Sequence, residues 1–240
     1  MIDTRKARDA MIAAIRRSLG ARGDEPGRRG NVRARLERSP DGLIPERART
    51  PKDEQPDLLA SMLKSTGTIV HILDRLDEIP NAVSDQLAAL NLPARVRHGD
   101  DPLLAGLNWE ETTVERLTGP ATGEDMVSLS RASAGAAETG TLLFASGPDN
   151  PSTLNFLPEN HFVILLARDI TGSYEESWER FRATYGPGAL PRTVNMVSGP
   201  SATADIERTL VRGAHGPRRL VVFLILDEEV SDSSDGKNLS

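Results

Sequence analysis

The sequence predicts an α/β protein with an open, mostly parallel sheet covered by helices. Three observations point there. From about residue 57 onward, short β-type runs alternate with stretches of helical apolar spacing. One run, His161 to Leu166, is almost uninterrupted apolar sequence, which suits a central strand buried on both faces. A chain of 240 residues is also long enough for one large α/β core with an appended segment.

Taken in order, Asp3 to Leu19 places Ala7, Ala10, Met11, Ala14, Ile15 and Leu19 near helical spacing, so residues 1–19 are expected to form a basic N-terminal helix. Residues 20–56 are rich in Arg, Gly and Pro with few large apolar groups, and read as an extended or partly disordered connector. The packed domain is expected over residues 57–227. It begins with a helix near Asp57 to Lys64 and a strand at Thr68 to Ile72. A helix at Ile79 to Leu90, a strand at Ala94 to Arg97 and a short helical turn at Pro102 to Leu107 follow. Thr113 to Leu117, Val127 to Ala132 and Thr141 to Ala145 read as three successive strands. After the central run come a helix at Ser173 to Tyr185 and a strand at Thr193 to Val197. A helix from Thr203 and a strand at Leu220 to Leu226 close the domain. Residues 228–240 read as an acidic, polar, disordered tail. No internal repeat is visible.

Charge is unevenly placed. Residues 1–50 hold 13 Lys+Arg against 7 Asp+Glu, a net of +6, while the remainder holds 16 against 28, a net of −12. A basic arm suits an acidic partner surface, but it lacks aromatic residues for base stacking and its first helix has a thin apolar face. Nucleic acid and membrane are therefore poor partners. A solvated arm, or one docking on the acidic body of a second subunit, fits better. No apolar run approaches the roughly 20 residues of a bilayer span, and arginines interrupt any signal-like stretch near the start. A cytoplasmic location is expected. There is no cysteine, which excludes disulfides and cysteine-held zinc, haem or iron–sulfur clusters on this chain.

Three clusters carry candidate chemistry. The first, Ala132 to Thr141, sets Glu138, Thr139, Gly140 and Thr141 among small residues that permit close backbone approach. The second, Ser146 to Ser152 running into Thr153 and Asn155, is dense turn sequence in which Asp149, Asn150 and Ser152 can present polar groups. The third combines Ser198, Gly199, Ser201 and Thr203 with Gly213, His215 and Gly216. There a strand, a glycine loop and an expected helix start would offer N–H groups and hydroxyls to an anion, with Ser201 or Thr203 as the cap. An ordinary capped turn explains the same residues. His215 suits anion binding or proton transfer, or a bond that locks its own turn. His161 opens the central run, where a buried histidine with a hydrogen-bond partner is the common arrangement. Scattered histidines without nearby carboxylates argue against a dedicated metal site. Walker A, G-x-G-x-x-G and G-x-S-x-G patterns are absent.

The ordered strings A-E-T-G-T at Ala137 to Thr141, P-E-N-H-F-V-I-L from Pro158, S-G-P-S-A-T-A-D-I-E from Ser198 and G-A-H-G-P from Gly213 resemble the lactate utilization protein C family, one branch of the LUD-domain proteins. The resemblance implies the fold shared by ribose-phosphate isomerases, CoA transferases and formyltetrahydrofolate cyclo-ligase. It implies a part in oxidation of L-lactate to pyruvate beside separate iron–sulfur proteins, which would carry any cluster. It also implies, as an alternative, a stand-alone isomerase or transferase-type enzyme that binds a phosphate or carboxylate. In that alternative Glu138 is nucleophile or base, with the competing reading that it binds backbone N–H groups or an arginine and fixes a turn.

Overall fold

The computed structural model describes residues 4–20, 22, 25–38, 42–186, 189–204 and 210–227. Asp3, residues 205–209 of the expected late helix and the expected tail at 228–240 lie outside them. The chain divides into two units, residues 1–43 and 44–240.

The first unit contains α1 (Thr4–Leu19) and α2 (Pro26–Arg38). The second helix falls where an extended connector is expected. Pro26 at its first position and a run of arginines, good helix formers, explain it locally. Neither helix builds a core: Met11, Ile15, Leu19, Val32 and Leu36 are all exposed.

The second unit follows in chain order as α3 (Gln55–Ser65), β1 (Ile69–Leu73), α4 (Ile79–Ala89), β2 (Arg95–His98), α5 (Pro102–Gly106), β3 (Glu115–Thr118) and β4 (Val127–Arg131). Next come β5 (Ala134–Ala136), β6 (Thr141–Ala145), β7 (Asn160–Leu166), β8 (Ile170–Thr171), α6 (Tyr174–Tyr185) and β9 (Val194–Val197). The last elements are β10 (Ala202–Ala204), β11 (Leu210–Arg212) and β12 (Arg219–Ile225). Among the described residues, no helix is long and apolar enough to cross a membrane.

Six strands form a wholly parallel sheet in the order β1-β12-β7-β4-β2-β3. The run expected to be central is central: every residue of β7 is buried between β12 and β4. Alternation along the strands sorts side chains to two faces. Val127, Leu129, Phe162, Ile164, Val221 and Phe223 join Val83, Leu87 and Leu104 of α4 and α5 in one core. Val163, Leu165, Val222 and Leu224 face Leu59 and Leu63 of α3 together with Leu142 and Phe144 of β6 in the other. The second face is thus covered partly by a further four-stranded sheet, β8-β5-β6-β9, rather than by helices alone.

Two late elements differ from expectation. The strand at Val194 pairs antiparallel with β6 in the small sheet, so it stands outside the parallel sheet. The helix expected from Thr203 is replaced by an antiparallel pair, Ala202–Ala204 with Leu210–Arg212. In that register Ala202, Thr203 and Ala204 stand opposite Arg212, Val211 and Leu210. The short apolar run carried no signal that distinguishes a ribbon from a first helical turn.

Candidate functional site

The first and third sequence clusters meet at the Thr141 hydroxyl. Its oxygen lies 2.6 Å from Ser198 Oγ, 2.8 Å from Thr139 Oγ1 and 2.5 Å from the Tyr174 hydroxyl. Gly140 makes this possible: its φ of +65° favours glycine, and a Cβ there would lie 2.8 Å from Met62 Cβ. Gly199, at φ +140°, likewise presses against Thr66, whose Oγ1 a Cβ would meet at 2.6 Å.

Glu138 is buried beside this knot, and its Oε1 accepts the backbone N–H of Tyr174 at 2.9 Å. Ser173 caps the same helix by accepting from Glu176 N–H, and the Glu176 carboxylate accepts from Gly172 N–H. Of the two roles weighed for Glu138, this geometry supplies the structural one, satisfying an orphan donor at the start of α6.

Ser201 ties the third cluster together without a helix. Its N–H donates to Pro217 O, its carbonyl accepts from Gly213 N–H, and its Oγ lies 3.4 Å from His215 N. Among the described residues, Ala202–Ala204 is a strand, so Ser201 and Thr203 do not open a helix there and no helix N-terminus offers its N–H groups. His215 is exposed in a cleft of about 430 Å³ with Phe156, Leu157, Gly213, Gly216 and Arg218. That loop enters β12 at its amino end, whereas ligands in open α/β sheets favour the carboxyl ends of strands.

In the second cluster, Asn150 is buried and donates to Ala145 O. Five buried polar atoms have no hydrogen-bond partner among the described residues: Asn150 Oδ1, both amide atoms of Asn155, His161 Nδ1 and Asn195 Nδ2. His161 is fully buried against Phe144, with Ser130 Oγ 2.6 Å from Nε2, and desolvation pushes its pKa down to about 3. It is neutral at physiological pH. Among the described residues, no group of three or more acidic or histidine side chains is placed to hold a metal ion.

The carboxyl ends of the strands hold a different constellation. After β2 the chain moves outward to β3 through α5 on one face; after β4 it moves inward to β7 through β5 and β6 on the other. The strand order therefore reverses between β2 and β4, and the cavity opens next to that point, at the carboxyl ends of β4 and β7. Arg131 ends β4 there, and Asp101, 3% exposed, accepts from its Nε at 2.8 Å. Asp149 closes in from the second cluster, because Gly99 lets the backbone after β2 approach the Asp149 carbonyl and Asp100 N–H bonds Pro148 O. Buried Asp169 binds Arg180, whose Nη1 also donates to Arg168 O. Ser133, Arg168, Phe181, Thr184 and Tyr185 complete a cavity of about 430 Å³. Asp149 was legible as turn chemistry. Arg131 and Tyr185 were missed, although a charged residue closing an apolar strand at its carboxyl end was a usable signal.

Fold and motifs together define an α/β protein of the LUD-domain class. The family model described as "LUD domain" matches residues 57–225, and the chain belongs to that family. The motif resemblance to its lactate utilization protein C branch holds along most of the chain. A lactate utilization protein C of Halalkalibacterium halodurans is 27% identical over 214 residues, covering 83% of this chain and 92% of that protein. One from Geobacillus thermodenitrificans is 28% identical over 194 residues, covering 72% and 80%. An uncharacterized protein of Neisseria meningitidis serogroup B is 34% identical over 153 residues; the match spans 61% of this chain and 65% of that relative's length. Among solved structures, a DUF162 family protein from Deinococcus radiodurans superposes with a TM-score of 0.54 at 20% identity, over 73% of this chain and 98% of its own, which speaks to fold.

Proposed function

We propose that this protein is a component of a lactate utilization system, binding a small anionic ligand and acting with separate iron–sulfur proteins in the oxidation of L-lactate to pyruvate. The observation that carries the reading is the similarity to a lactate utilization protein C over 92% of that relative. These 240 residues contain no cysteine, so a cysteine-held cluster in such a system belongs to a partner. Deleting the gene is expected to abolish growth on L-lactate while growth on glucose continues. Normal growth on L-lactate would sink the reading. The purified chain, given L-lactate and an artificial electron acceptor, is expected to show no turnover; robust turnover without a copurifying protein would overturn the dependence on partners.

The hydroxyl knot favours a second reading, a stand-alone isomerase or transferase-type enzyme. Thr139, Thr141, Tyr174 and Ser198 cluster beside buried Glu138, which would act as base or nucleophile on an anion at the Ser198–Gly199 turn. Replacing Glu138 by Gln separates the readings. As a capping group it is expected to leave growth on L-lactate intact and lower the melting temperature only; as a base its loss abolishes activity with the fold preserved.

A further inference from the structure

We propose that the crevice at the carboxyl ends of β4 and β7 is a binding site for a small α-hydroxycarboxylate, held by Arg131, Asp149 and Tyr185. The inference rests on the lactate utilization reading for the choice of acid, and on the cavity itself for the recognition chemistry.

Three side chains on this cavity wall keep hydrogen-bonding capacity that no described residue takes up, and each is of a different kind. Arg131 spends only its Nε, on Asp101. Its two terminal NH2 groups remain, and an arginine has five donors in a fixed fork. Asp101 is almost wholly buried, so it acts from behind, fixing the guanidinium plane and balancing its charge. The Asp149 carboxylate is half-buried and uncommitted. The Tyr185 hydroxyl is the third, with its ring stacked on Phe181 at 6.1 Å. Partial burial, then the Asp149 carboxylate, raises the Tyr185 pKa above its ordinary value while Arg131 works against them, which puts the three in one electrostatic neighbourhood. Tyr185 therefore keeps its proton at neutral pH and donates.

A cationic fork, an anionic acceptor and a neutral donor match the parts of an α-hydroxy acid. The carboxylate takes the two terminal Arg131 nitrogens in a bidentate pair. The α-hydroxyl donates to Asp149, and Tyr185 donates to a carboxylate oxygen. Other charges on the wall are committed: Arg180 is held by Asp169 and by the Arg168 carbonyl. The volume of about 430 Å³ admits acids of three to six carbons. An α-keto acid is a poorer fit, because it has no hydroxyl proton to give and leaves Asp149 facing an oxygen lone pair. A site built to bond a hydroxyl discriminates strongly against an analogue that lacks one.

The test is calorimetric titration of the full chain with L-lactate, citrate, pyruvate, L-alanine and inorganic phosphate, repeated on Arg131→Lys, Asp149→Asn and Tyr185→Phe. Saturable binding of L-lactate or citrate is expected, with pyruvate weaker by about tenfold or more, the scale of one lost charge-assisted hydrogen bond. Arg131→Lys keeps the charge beside Asp101, so the fold is expected to persist, and binding should fall by about tenfold or more. Asp149→Asn should narrow the gap between hydroxy and keto acids. Unchanged thermal melts confirm that the variants are folded. Absence of binding by both hydroxy acids, insensitivity to Arg131→Lys, or a preference for phosphate or L-alanine would each overturn the assignment. Failure of the functional reading looks different: citrate or lactate binds through Arg131 while the deletion strain still grows on L-lactate.

Discussion

His161 shows how one side chain makes stability depend on pH. Desolvation holds it neutral, its pKa pushed from 6.5 down to about 3. Between those values the unfolded chain binds a proton that the folded chain refuses. Stability is therefore complete above pH 6.5 and declines as pH falls toward 3, with a slope approaching about 1.4 kcal/mol per pH unit. Urea midpoints of the native chain and His161→Gln, measured from pH 7 to pH 4, should diverge, the variant showing the shallower loss; parallel curves would contradict the assignment. Gly140 gives a second residue-scale test. Its positive φ and the approach of Met62 and Leu63 leave no room for a methyl group, so Gly140→Ala should cost about 1–3 kcal/mol. Gly123, with open space around it and an ordinary φ, is the control and should tolerate alanine with little change in melting temperature.

At the scale of elements, the start of α6 is anchored by its own Ser173 and Glu176 and by Glu138 from the small sheet. Ser173 Oγ serves Glu176 N–H, Glu138 serves Tyr174 N–H, and Glu176 serves Gly172 N–H. Ser173→Ala is expected to lower stability by about 1 kcal/mol, the usual worth of an N-cap. Glu138→Ala should cost about 1–3 kcal/mol, since it leaves a buried donor unpaired. Denaturant unfolding measures both, and a Glu138→Ala chain as stable as the native one would remove the capping role. The same helix carries Arg180, Phe181 and Tyr185 to the crevice, so its N-terminal anchoring also positions one wall of the proposed site. The element that departs most from expectation is the Ala202–Arg212 ribbon. Short apolar stretches there fit either period, and pairing with a partner strand settles what spacing cannot.

For the molecule as a whole, both main cores lie within residues 44–240. A fragment of those residues is expected to fold with a cooperative melt close to that of the full chain. The basic residues 1–50 are proposed to strengthen assembly with an acidic partner or a second subunit. Light scattering should then show the full chain losing mass as salt rises, with screening beyond about 10 Å at 0.1 M; a mass constant across salt, with or without residues 1–50, would remove that role. The sequence by itself determined the α/β class, the buried central strand His161–Leu166, most helix and strand positions and the family, because periodicity and ordered motifs are local. It also placed Glu138, Thr141 and Ser198 among the candidates, though not in contact with one another. Tertiary structure alone decided that Val194–Val197 joins a separate antiparallel sheet, that the His215 loop lies at the amino end of β12, and that Arg131, Asp149 and Tyr185 share one cavity. The last three residues are up to 54 positions apart in the sequence, and only the crossing of β4 and β7 connections over the sheet brings them together. Strand order is a long-range property, and no local pattern of side chains encodes it.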